Sequence, residues 1–114
     1  MKFVVIALTL LLSACVSNNI YYWGEYENTL YDYRKDPSEK NLTKHKAQLE
    51  RIINTADKKK KGVPPGIRFE LAMIEAQLGN VTRSVELLNR EKERFPEATV
   101  YVDKALNSIG GNTL

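Results

Sequence analysis

The chain has 114 residues, a formal net charge of +3, a pI near 9.0 and one cysteine. A lone cysteine excludes an intrachain disulfide, and so small a charge is not the footprint of a nucleic-acid binder. The length supports one modest domain, held by helix packing with a stability on the order of 5–10 kcal/mol.

Lys2 comes first in chain order, followed by a ten-residue run from Phe3 to Leu12 that is almost wholly apolar. That length suits the h-region of a signal peptide and falls short of the ~20 residues that span a bilayer. The run closes on Leu12-Ser13-Ala14-Cys15, which resembles the lipobox of bacterial lipoproteins. The resemblance implies a signal helix and peptide over residues 1–14, cleavage before Cys15, and a diacylglycerol on the Cys15 thiol. Acyl chains contribute ~0.8 kcal/mol per buried CH₂, and several together anchor stably. In the enterobacterial sorting pattern an Asp after the cysteine retains a lipoprotein in the inner membrane. Val16 therefore favours an outer-membrane anchor facing the periplasm. Residues 15–23 read as lipidated cysteine and tether, and residues 24–110 as the folded domain.

Tyr22, Tyr26, Leu30 and Tyr33 recur at helical spacing, which predicts a first helix from about Gly24 to Arg34. Asp36-Pro37-Ser38-Glu39 reads as a helix start, with Asp36 capping and Pro37 in the first turn. Leu42, Leu49, Ile52, Ile53 and Ala56 carry that helix towards Lys58. Gly62-Val63-Pro64-Pro65-Gly66 breaks it, since consecutive prolines cannot sit inside a helix. A third helix starts near Pro65 with Ile67, Leu71, Ile74 and Leu78 as its apolar set. Gly79-Asn80 ends that helix and caps a fourth, which carries Val81, Val85, Leu88 and Phe95. Pro96 opens a fifth with Val100, Val102, Ala105, Leu106 and Ile109, ending at Gly110-Gly111-Asn112. The expected fold class is all-α, five helices in helix-turn-helix pairs.

The stretch Pro65 to Glu97 resembles one tetratricopeptide repeat, a 34-residue helix-turn-helix. With Pro96 aligned to the repeat's last proline, Leu71-Ala72 fall at inner positions and Gly79-Asn80 at the turn. Ser84 takes the small-residue site and Leu88 the large apolar one. Arg68 stands where the repeat has tryptophan, and Glu91 where it has alanine. The whole chain resembles an uncharacterised family of small bacterial lipoproteins through Tyr22-Trp23-Gly24-Glu25-Tyr26-Glu27, Pro64-Pro65-Gly66, Gly79-Asn80 and Phe95-Pro96. That family is often encoded beside lipoproteins like the curli secretion channel. The resemblance implies a shared envelope complex and no enzymatic activity.

Catalytic and metal chemistry have few residues to draw on. His45 is the only histidine, and its spacing from Leu42 and Leu49 puts it on or beside a buried helix stripe. Acylation would consume the one thiol, so no Cys/His pair assembles. Nor does the sequence show a metal-ligand cluster or a Gly-rich phosphate loop. No catalytic, cofactor or metal residue is assigned; the covalent lipid on Cys15 is the one expected prosthetic group. Two blocks are candidate interaction surfaces. Tyr21, Tyr22, Trp23, Tyr26, Tyr31 and Tyr33 place six rings in thirteen residues. One helix stripe cannot bury them all, which leaves Tyr21, Trp23 and Tyr31 as candidates for contact with a partner or a membrane interface. Lys58, Lys59, Lys60 and Lys61 form the densest charge run, either a solvated helix end or a contact for anionic lipid headgroups or an acidic partner. The expected function is an outer-membrane-anchored adaptor for other envelope lipoproteins. The alternative is a peptidoglycan- or lipid-binding module.

Overall fold

A computed structural model describes residues 20–111. The expected signal peptide, Cys15 and Val16 lie outside the described residues. Five α-helices follow one another: α1 (Tyr26–Lys35), α2 (Glu39–Lys58), α3 (Ile67–Gln77), α4 (Val81–Arg94) and α5 (Thr99–Gly111), the last preceded by a 3-10 turn at Pro96–Ala98. The class is all-α, with short connections, and helices adjacent in sequence pack on one another.

The core follows helical periodicity. On α2 the buried stripe is His45, Leu49, Ile52 and Ala56, joined by Gln48. Ile67, Leu71, Ala72 and Ile74 on α3 meet Leu87 and Leu88 on α4, and Ala98, Val102, Ala105 and Ile109 close the far side. Each fully buried leucine contributes about 1.5–3 kcal/mol through area removed from water. Leu78 and Val100, expected on the apolar faces, point outward, and Val100 is 73% exposed. Leu78 is the C-cap of α3, where the chain is already leaving the helix. The turn at Pro96–Ala98 sets the phase of α5 so that Ala98 and Val102 face inward and Val100 does not. On α1 no residue is fully buried; Tyr26, Leu30 and Tyr33 are half-buried along one side.

Helix ends depart from expectation in two places. Ser38, not Asp36, caps α2: its hydroxyl accepts from the Asn41 N–H at 3.2 Å. Asp36 instead terminates α1, and the Asn41 side chain donates to the carbonyls of Asp36 (2.9 Å) and Asp32 (3.2 Å). Asn41 thus stitches the end of α1 to the start of α2. Asn80 precedes α4 but does not cap it by side chain; its amide nitrogen donates to Glu75 instead.

Candidate functional site

Three helices converge on His45, which is 1% exposed. Its Nε2 lies 2.5 Å from Glu70 Oε1 on α3, and its Nδ1 lies 2.8 Å from the Thr29 hydroxyl on α1. The Tyr26 phenol donates to the other Glu70 oxygen at 2.7 Å, and its ring lies 5.5 Å from the imidazole. Both ring nitrogens and both carboxylate oxygens are engaged. Burial pushes Tyr26 up to about 12, with the Glu70 hydrogen bond and charge adding to it. The phenol therefore stays a neutral donor across the physiological range. A hydroxyl, an imidazole and a carboxylate stand here in the order used for nucleophile activation. Sequence reasoning offered no such arrangement, because Thr29 and Glu70 are 16 and 25 residues from His45. The Thr29 hydroxyl donates to the Tyr26 carbonyl at 3.2 Å, so its proton is directed to the backbone. The geometry is that of a clamp.

A cleft of about 240 Å³ opens above this clamp, with Leu30, Tyr33, Leu42 and Met73 on its walls and His45 and Glu70 on its floor. Arg34 and Gln77 stand at its rim.

The α3–α4 pair carries two further buried carboxylates. Burial alone would raise Glu75, but hydrogen bonds from Lys46 and Asn80 outweigh it and hold the carboxyl below its usual value. Glu91 accepts from the Gly66 N–H at 2.7 Å, and burial raises it nonetheless. Arg68 faces Glu91 electrostatically, yet Arg68 Nη1 and Glu91 Oε2 are both buried without a hydrogen-bond partner. The two positions that break the repeat pattern are therefore neighbours. Ser84 donates to the Ala72 carbonyl at 2.7 Å across the same helix pair.

Most of the surface residues singled out in the sequence come together at one end. The Tyr22 N–H donates to the Gly62 carbonyl (3.2 Å), the Gly62 N–H donates to the Ile20 carbonyl (2.8 Å), and Tyr21 bridges Gly62 in parallel. Tyr21 is half-buried by this pairing, its ring so close to Gly62 that a Cβ there would meet it at 3.0 Å. Lys58, Lys59, Lys60 and Lys61 are all exposed, and Lys59 Nζ sits 5.2 Å from the centroid of the Tyr22 ring. Trp23, the residue after Tyr22, is 38% exposed, its ring tilted against Tyr26 with centroids 5.5 Å apart. Tyr31 is 64% exposed on α1, apart from this cluster in sequence. Among the described residues no group of three or more His, Cys, Asp or Glu could hold a metal ion, and no helix is long and apolar enough to cross a membrane.

No curated protein and no solved structure matches the chain. A family model described as a domain of unknown function (DUF4810) matches residues 20–105, from the segment paired with Gly62 into α5. That match covers most of the chain, which belongs to the DUF4810 family.

Proposed function

We propose that this protein is an outer-membrane-anchored lipoprotein that serves as an accessory subunit of an envelope complex. It holds a segment of a partner protein in the cleft between α1, α2 and α3. The cleft carries the reading: its walls are half-buried apolar side chains, and its floor is locked by the His45–Glu70 clamp. Such a site is formed before a ligand arrives, which lowers the ordering cost of binding. Consecutive antiparallel helix pairs, with Ser84 against Ala72 and Gly79-Asn80 at the turn, support a tetratricopeptide-like arrangement, whose concave faces receive peptides or helices. The partners proposed are other envelope lipoproteins, recruited by the common anchor at Cys15. The role assigned is binding rather than catalysis, since the Thr29 hydroxyl donates its proton to the Tyr26 carbonyl rather than to the imidazole.

A photo-crosslinking residue at Tyr33 tests this in cells, with the same residue at the exposed Val100 as control. A discrete adduct is expected from position 33 and none from position 100. Equal labelling at both positions, or recovery of the protein from mild detergent as a monomer with no adduct at 33, would overturn the reading.

A further inference from the structure

Two separate blocks of sequence, the aromatic opening and the lysine run, form one surface through the Gly62 pairing. We propose that Ile20, Trp23 and Lys58–Lys61 form a docking face for an anionic phospholipid surface, which holds the domain in one orientation on the membrane that anchors it. This rests on the lipidation reading and extends it: Cys15 supplies attachment, and the face supplies orientation.

Four observations converge. Ile20 is 68% exposed and Trp23 38% exposed, and an aliphatic and an indole flanking the segment that pairs with the lysine turn suit a bilayer interface. The four lysines sit at the end of α2 with no acidic partner within ion-pair distance among the described residues, whereas Lys46 and Lys92 elsewhere do pair. Lys60 holds φ +53, a left-handed conformation that disfavours any side chain. The same turn after α3 places Gly79 at that position, φ +86. In each turn the next N–H reaches back five residues, Lys61 to Ala56 and Asn80 to Glu75. A strained lysine where glycine would serve points to a use for its charge. Finally, Cys15 precedes Ile20 by five residues, a reach of at most ~18 Å, so the face cannot leave the vicinity of an anchored lipid. Glu25 and Glu27 line the neighbouring hollow at the start of α1 and oppose the attraction only partly. His45 lies 13 residues up α2 from Lys58, about 20 Å at helical rise, so the lysine run is well separated from the cleft along that helix.

The chain has one tryptophan, which makes its emission a reporter of this face alone. The purified full-length lipoprotein is reconstituted into vesicles of phosphatidylcholine, with or without phosphatidylglycerol and with brominated acyl chains as quencher. At low salt, blue-shifted and quenched Trp23 emission is expected in the anionic vesicles and not in the neutral ones. High salt should reverse it, since surface attraction is screened. K58Q/K59Q/K60Q/K61Q should lower the docked-to-free ratio about fivefold per lysine removed. Quenching that is equal in both vesicle types, or indifferent to salt, overturns the proposal without reliance on any variant. Lysine-dependent pelleting with peptidoglycan in place of vesicles overturns it too and assigns the face to the cell wall. Flotation scores the anchor separately. A chain that does not float refutes the lipidation reading, while quenching on anionic vesicles added from outside still decides the face.

Discussion

Tyr26 donates its phenol to Glu70 inside a partly buried cluster, and its ionisation is pushed from 10.0 to about 12. The sign of the linkage follows: the folded state holds the proton more tightly than the unfolded state. That contribution is fully present below pH 10 and is lost as pH rises towards 12. Tyr26→Phe removes the titrating group. At neutral pH the variant should be less stable by ~1 kcal/mol, the net worth of one hydrogen bond. Between pH 10 and 12 wild type should lose stability faster, so the two urea midpoints converge. Parallel midpoints would show that the phenol is not held in this environment. The clamp was half legible in the sequence. Spacing from Leu42 and Leu49 placed His45 on the buried stripe, and a buried imidazole needs partners. Which partners it finds depends on the packing of α1 and α3 against α2, and no local pattern encodes that.

At the scale of the element, α2 and α3 end in the same turn with different residues at its left-handed position. Lys60→Gly relieves the backbone strain and should stabilise the domain by about 0.5–1 kcal/mol. Ser38→Ala, at the other end of α2, removes the hydroxyl that accepts from Asn41 and should cost ~1 kcal/mol. Thermal unfolding of the two variants should shift in opposite directions; a destabilised Lys60→Gly would mean that the lysine side chain contributes more than its backbone costs. Helix positions were legible because the signals are local: 3.6-residue periodicity, the Pro64-Pro65 break and the Gly79 turn. The cap of α2 was misplaced by two residues: Ser38 sits two positions after Asp36, which instead ends α1 with its carbonyl accepting from Asn41. Asn80 makes no cap by side chain; its amide nitrogen donates to the buried Glu75 carboxylate, which fixes the side chain away from the first turn of α4. The lysine run and the aromatic opening were both legible as surface features. Their apposition was not, since it depends on backbone pairing between residues 20–22 and Gly62.

For the molecule as a whole, the α3–α4 pair keeps charge between its two helices at the site where the repeat pattern has tryptophan against alanine. Arg68 is lowered chiefly by burial, with Glu91 acting in the opposite sense, and each leaves one polar atom unpartnered. Glu91 is buried, Arg68 is half-buried, and no ion pair joins them, so their attraction offsets little of the cost of desolvating both. Removing one partner is worse, since the other charge remains buried and uncompensated. Arg68→Trp alone and Glu91→Ala alone should therefore each cost about 1–3 kcal/mol. The double variant Arg68→Trp, Glu91→Ala should recover most of that loss or exceed wild type, a coupling of about 1–3 kcal/mol in urea unfolding. Additive losses would mean that the two residues act independently and that their proximity is incidental. Coupling with recovery would mean that the pair is retained for something other than stability. Glu91 also holds the Gly66 N–H where α3 begins, so the charge that weakens the core fixes where the chain re-enters helix after the Pro64-Pro65 break. The double variant should then keep its stability while losing protection from hydrogen exchange at Gly66 and the first turn of α3.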